Sequence, residues 1–260
     1  MPNPPTFSIV TCTRNSAATL ADTLASVQAQ TWPAHEHIFV DGGSSDATLD
    51  LIAAHPGAKR LLPGVTGGIG HAMNAGIAAA SGDYVAHLHS DDYYAGPAVL
   101  AAVGRCIEQG RAAGRPPDWL VGNIQVLKDG RLLPPNAMAP LSYRSFAAGR
   151  ASIAHPAVFV RRDVFGRIGL FDERLRYAMD IDLWLRLLAL GRPATLDMVL
   201  TIFRDHAGSV SSSNRRAARR EEFAVRRRHA GKAPLAFCVY CLRYLKRMHA
   251  LRRQQATMPS

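Results

Sequence analysis

Tyr84-Val85-Ala86-His87-Leu88-His89-Ser90-Asp91-Asp92 settles how this chain folds. Its β-prone opening reads as a strand that runs straight into consecutive carboxylates. Three short runs of the same kind precede it: Phe7–Thr11, His37–Val40 ending at Asp41-Gly42-Gly43-Ser44, and Lys59–Leu62. Helical patterns lie between them. Ser16 is positioned to cap a helix carrying Leu20, Leu24 and Val27, and a second helix is predicted from Asp46 to Ala54. The Gly-rich loop Gly64–Gly70 leads into a third, whose Ala72, Ala75, Gly76 and Ala79 are small enough for close packing on a sheet. Strands alternating with helices imply a mostly parallel sheet covered on both faces. Ligands in such sheets sit beyond the carboxyl ends of the strands, where Asp41 and Asp91-Asp92 fall.

The second half is less regular. Trp119–Leu127 and Arg131–Leu133 form a predicted hairpin through Lys128-Asp129-Gly130, and Ala157–Val160 is another predicted strand. A helix is expected from Asp180 to Leu190, stopped by Gly191 with Pro193 beyond, followed by a strand over Thr195–Phe203.

The 260 residues, 48% apolar and 20% charged, suit one large domain or one domain with an appendage. That composition excludes general disorder and any collagen-like or coiled-coil rod. The apolar runs Leu183–Leu190 and Leu235–Leu242 fall short of the about 20 residues a spanning helix needs. Met1-Pro2-Asn3-Pro4-Pro5 has neither a basic n-region nor an apolar h-region, so a cytoplasmic protein is expected.

The 31 basic and 20 acidic residues give a net charge of +11, concentrated from Asn214 onward. There Arg215, Arg216, Arg219, Arg220, Arg226, Arg227, Arg228, Lys232, Arg243, Lys246, Arg247, Arg252 and Arg253 face only Glu221 and Glu222. Such a segment attracts nucleic acid, anionic lipid headgroups or phosphorylated substrates; the plainer alternative is a solvated helix face with a disordered end. Cys12, Cys106, Cys238 and Cys241 are too scattered for a disulfide framework. Cys238 and Cys241 have the spacing of half a zinc site but lack a second pair, and read as small hydrophobes.

Consecutive carboxylates repel unless a cation relieves them, and hard oxygen ligands suit Mg²⁺ or Mn²⁺. Neighbouring side chains on extended backbone point apart, so Asp91 and Asp92 should serve different partners, one a metal and one a hydroxyl. The alternative is a turn with two solvated Asp residues. Asp180 and Asp182 do not share a helix face. Asp180 stands over Trp184, Leu187 and Leu188 and is the candidate general base, a helix cap being the alternative. Asp182 stands over Arg186 and is expected to form an exposed ion pair. Other motifs fail: Gly68-Ile69-Gly70-His71-Ala72-Met73 breaks the dinucleotide fingerprint, and neither a P-loop nor a G-x-S-x-G elbow occurs. His35, His37, His87 and His89 lack matched ligand spacing and read as surface or core residues.

Taken in order, Ser8–Asn15, Ser26–Trp32, Val40–Asp46, Gly68–Gly76, Ala80–Tyr84 and Leu88–Asp92 resemble the opening of family 2 glycosyltransferases. Ala178–Arg186 is similar to the segment holding that family's catalytic base, and the likeness covers roughly residues 6–210. It implies a GT-A fold, an αβα sandwich with a mostly parallel central sheet. The domain would span residues 1–213, with a nucleotide-binding half over 1–95 and an acceptor-binding half over 96–213. Residues 214–260 would form a basic helical extension.

By the same likeness, Thr11, Arg14 and Asn74 would line the nucleotide-sugar pocket, Asp41 would contact the base and Asp91 the ribose. Asp92 would hold Mn²⁺ or Mg²⁺, with His206 a further candidate ligand, and Asp180 would be the base. The implied reaction transfers a sugar from a nucleotide-diphosphate donor, of the UDP- or GDP-sugar type, to a glycan or lipid-linked acceptor hydroxyl with inversion. Met179 stands where many relatives carry Glu, and Thr66 and His71 stand where close relatives carry acids.

Polysaccharide or lipopolysaccharide synthesis at the cytoplasmic face of the inner membrane is expected. The basic tail, with Leu235, Phe237, Val239, Tyr240, Leu242, Tyr244 and Leu245, would rest on the anionic surface. The competing reading is an inactive nucleotide-sugar binder or a nucleic-acid binder acting through the tail. Nucleic acid is disfavoured because that tail lacks a reader motif.

Overall fold

The computed structural model describes residues 3–57, 59–135, 139–205 and 214–256. The chain divides into two compact units. One comprises Met1–Ala137, Ile153–Phe171 and Pro193–Asp205; the other comprises Met138–Ser152, Asp172–Arg192 and His206–Ser260.

The first unit is built on one nine-stranded sheet. Its strands are β1 (Phe7–Thr13), β2 (Glu36–Asp41), β3 (Lys59–Leu62), β4 (Tyr84–His87), β5 (Tyr93–Tyr94), β6 (Trp119–Lys128), β7 (Arg131–Leu132), β8 (Val158–Arg161) and β9 (Ala194–Asp205). They lie in the order β3-β2-β1-β4-β8-β6-β9-β5, with β7 beside β6. Strands β1 to β4 are parallel, as expected. Beyond them β8 runs antiparallel to both β4 and β6, while β6 and β9 are parallel. The hairpin of β6 and β7 forms as the turn Asp129-Gly130 predicts. β1 is buried on every residue because β2 and β4 flank it and helices cover it, whereas edge strand β3 is mostly exposed.

Helices α1 (Leu20–Gln28), α2 (Thr48–Ala54), α3 (Ile69–Ala79) and α4 (Val99–Ala112) pack in this unit. α1 buries Leu20, Thr23, Leu24 and Val27, one stripe at helical spacing. Its start differs from expectation: Thr19 is the N-cap, and the Ser16 hydroxyl is turned instead to the hydroxyl of Ser90 at 2.8 Å. Small residues on α3 have the predicted use. A Cβ on Gly76 would sit 2.3 Å from a methyl of Val10, so the helix rests directly on β1. α4 is absent from the sequence reading, because Gly104 and Gly110 interrupt its apolar pattern. Gly104 is the point where the Trp32 ring lies against the helix. The core behind α4 joins Phe7, Tyr84, Leu100, Val103, Ile107 and Phe159. Each such side chain contributes about 1.5–3 kcal/mol on burial.

Beside α6 (Val164–Ile168), which belongs to this first unit, the remaining helices form the second. They are α5 (Tyr143–Ala147), α7 (Met179–Leu190), α8 (Arg215–Arg228) and α9 (Pro234–Ala256). The centre of this unit is ionic as well as apolar. Glu222 and Arg226, both buried, pair at 3.0 Å. The Arg226 guanidinium also donates to the Phe146 carbonyl and lies over the Phe146 and Tyr240 rings. The basic run is therefore only partly solvated: Arg219 and Arg226 hold Glu222, and Arg228 holds Asp172.

Candidate active site

In the first unit the strand order itself marks the site. From β1 the chain builds outward through β2 and β3, then returns to place β4 on the other side of β1. A crevice for ligands opens at such a reversal, beyond the carboxyl ends of the strands. Thr13, Asp41 and the turn Ser90–Asp92 stand at those ends, the register setting Thr13 beside Asp41.

Asp41 anchors the loop that follows it. Its Oδ1 accepts from the hydroxyls of Thr13 and Ser44, and its Oδ2 accepts from the backbone N–H groups of Gly43 and Ser44. Burial alone would raise its pKa, but these donors hold the carboxyl below its ordinary value. Gly43 at φ +85 turns the loop. Arg14 is exposed at the end of β1, and its stem packs beside Gly42.

Thr11 lies deeper than the resemblance implies. It is fully buried, its hydroxyl donating to the Leu88 carbonyl at 2.7 Å and meeting Nε2 of His37 at 2.8 Å. Burial and nearby His55 push His37 down to about 3, so its ring is neutral. Asn74 is likewise occupied: its amide donates to the Phe171 carbonyl and accepts from the Phe171 N–H, each at 2.9 Å. Both residues brace the loops behind the strand ends.

The Ser90–Asp92 turn is stapled to α1. Thr19 donates to the Ser90 carbonyl and Thr23 to the Asp92 carbonyl, each at 2.7 Å. Sequence reasoning missed these threonines, although their spacing of four places them on one helix face. Asp91 is half-buried, and Asp92 is only 1% exposed. Asp92 Oδ1 accepts from the Arg204 backbone N–H at 3.1 Å, brought there by β9; its other oxygen has no hydrogen-bond partner among the described residues. Burial and then the charge of Asp91 hold this carboxyl well above the ordinary carboxylate range. The Arg204 side chain reaches Asp22 at 2.7 Å and lies over the Tyr93 ring.

A buried carboxylate with an acidic neighbour fits a divalent cation. Among the described residues no group of three or more His, Cys, Asp or Glu side chains could hold one by itself. A bound diphosphate would have to complete the shell, as is usual for Mg²⁺. His206, the second candidate ligand, lies outside the described residues.

In the second unit, Asp180 occupies the first turn of α7 and is half-buried, with Trp184, Leu187 and Leu188 buried along its face. The helix is not capped by its own side chains. Glu221, reaching in from α8, accepts from the N–H groups of Tyr177 at 2.6 Å and Ala178 at 2.7 Å. Its only sequence signal was its rarity as an acid in a basic run. Asp182 departs from expectation. It is buried rather than exposed, because Arg186 at 2.9 Å and His229 at 3.0 Å both close on it. Burial would raise its pKa, but the His229 hydrogen bond and the Arg186 charge hold it below its ordinary value.

Among the described residues no helix is long and apolar enough to cross a membrane. The exposed apolar face of α9 is narrower than predicted. Leu235, Leu242 and Leu245 are exposed, Leu235 at 82%, whereas Tyr240 is buried and Phe237 and Tyr244 pack against Phe223. Cys238 is exposed and Cys241 half-buried, without disulfides.

Residues 8–130 match the family described as glycosyl transferase family 2. An uncharacterized glycosyltransferase of Mycobacterium tuberculosis is 34% identical over 208 residues, spanning 78% of this chain and 76% of that protein. The putative teichuronic acid biosynthesis glycosyltransferase TuaG of Bacillus subtilis is 28% identical over 253 residues, 94% of this chain and 97% of its own. Among solved structures, S. aureus TarS 1-349 in complex with UDP-GlcNAc superposes with a TM-score of 0.70 at 21% identity, covering 85% of this chain and 65% of that one. The chain thus belongs to glycosyl transferase family 2 and is a glycosyltransferase with a GT-A fold.

Proposed function

We propose that this enzyme transfers a sugar, with inversion, from a nucleoside-diphosphate donor to a hydroxyl of a glycan or lipid-linked acceptor. The observation that carries the reading is Asp92, a buried carboxylate at the sheet's reversal point with Asp91 beside it and one oxygen without a hydrogen-bond partner among the described residues. It would hold the divalent cation, Mn²⁺ or Mg²⁺, and Asp91 would approach the ribose. A donor of the UDP class is supported by TarS, whose structure holds UDP-GlcNAc. When bound, the cation stabilises negative charge developing on the departing diphosphate.

The chain's own residues do the rest. Asp41 fixes the Gly42–Ser44 loop, against which the base would lie, and a direct contact with the base would exchange one of its four internal donors. Arg14 borders the same end of β1. Thr11 and Asn74 position the loops rather than touching the donor. Asp180 takes the proton of the acceptor hydroxyl as its oxygen attacks the anomeric carbon. A single displacement inverts that carbon and needs no protein nucleophile, so the lack of an elbow serine is consistent with it. The basic α8 and α9 would face an anionic membrane, where each Lys or Arg contributes about 1 kcal/mol near the surface. Leu235, Leu242 and Leu245 share one helix face and would enter the interface.

The test is UDP release from UDP-GlcNAc and other nucleotide sugars, with Mn²⁺ and with EDTA. Turnover of one donor that EDTA abolishes and Mn²⁺ restores is expected. Turnover indifferent to EDTA would remove the cation from the reading, and no turnover of any nucleotide sugar would remove the reaction.

A further inference from the structure

The helical unit contains a groove of about 450 Å³ walled by α7, α8 and α9. Its lining is cationic at Arg215, Arg219 and Arg247 and apolar or aromatic at Tyr177, Ile181 and Leu251. We infer that this groove binds the phosphate head of an amphiphilic, lipid-linked acceptor, with the guanidinium groups on the phosphates and the apolar lining residues along the adjoining stem.

Among the described residues Glu222 is the only carboxylate lining the groove, and both its oxygens are taken, one by Arg219 at 2.7 Å and the other by Arg226 at 3.0 Å. Neither Arg215 nor Arg247 forms an ion pair with a carboxylate among the described residues. A concave wall with uncompensated guanidinium groups attracts an anion, and arginine's planar fork matches phosphate oxygens in pairs. The same lining carries apolar side chains, Ile181 and Leu251 among them. A free phosphate or a nucleic-acid backbone has no use for Ile181 and Leu251, whereas a prenyl-type stem does.

Tyr177 and Ile181 flank Asp180, and Glu221 clamps the backbone of that same turn. A phosphate anchored in the groove is held beside the turn bearing the proposed base. α9, which supplies Arg247 and Leu251, also exposes Leu235, Leu242 and Leu245, so one helix serves both the membrane edge and the groove. The inference deepens the proposed function, since it rests on Asp180 acting upon the acceptor.

The probes are farnesyl diphosphate below its aggregation limit, inorganic pyrophosphate and farnesol, each titrated calorimetrically into the full-length protein. Wild type should bind farnesyl diphosphate more tightly than either fragment. Arg215→Gln with Arg247→Gln should weaken that binding by about tenfold or more, the scale of one lost charged hydrogen bond. Each single variant, checked by circular dichroism, should show part of the loss. Equal affinity in wild type and double variant would overturn the site. Pyrophosphate binding as tightly as the prenyl compound would overturn the lipid assignment and leave an anion site only. UDP with Mn²⁺ is titrated into the same sample: UDP binding without prenyl diphosphate binding removes the groove alone, while the converse removes the donor reading alone.

Discussion

Asp180→Asn is expected to lower glycosyl transfer by about 10²–10⁴-fold, the range a positioned general base contributes. The amide has nearly the same shape as the carboxylate but cannot accept the proton of the attacking hydroxyl. The fold should not register the change. α7 is held at its start by Glu221 on the backbone of Tyr177 and Ala178, and Trp184, Leu187 and Leu188 remain buried beneath it. Single-turnover transfer at saturating donor is the measurement. Transfer within a few-fold of wild type would show that the proton leaves by another route.

The largest effect on stability is expected from Arg226→Ala, about 3–5 kcal/mol, because it removes one of the two arginines that balance a buried carboxylate. Arg226 is 5% exposed and Glu222 6% exposed, and the arginine also satisfies the Phe146 carbonyl and lies between the Phe146 and Tyr240 rings. Removing it leaves the carboxylate with Arg219 alone and opens a cavity. Replacing the pair together, Arg226→Met with Glu222→Leu, should cost far less, since a packed apolar pair needs no counter-charge. Denaturant unfolding of the single and double variants makes the comparison. A single variant as stable as the double one would contradict it.

The parallel half of the fold is legible in the sequence because its strands are short β-prone runs separated by helical patterns, and β2 and β4 lead into acidic turns. Those endings also locate Asp41, Asp91 and Asp92. Other features depend on partners far along the chain. Asn74 is engaged by Phe171 at a separation of 97 residues, Thr11 by Leu88 at 77, and Tyr177 by Glu221 at 44. No local pattern announces such pairings. Asp182 carried an (i, i+4) signal for Arg186, yet His229, which only folding brings near, closes on it as well. α4 was obscured for the opposite reason: its glycines weaken helix propensity, and packing against Trp32 overrides them.

The central claim is a division of labour, Asp92 serving the donor and Asp180 the acceptor. Its most direct test is calorimetric titration of UDP, with and without Mn²⁺, into wild type, Asp92→Asn and Asp180→Asn. The prediction is that Mn²⁺ strengthens UDP binding to wild type and to Asp180→Asn alike, and has no such effect on Asp92→Asn. Mn²⁺-strengthened binding that survives in Asp92→Asn, or disappears in Asp180→Asn, would contradict it.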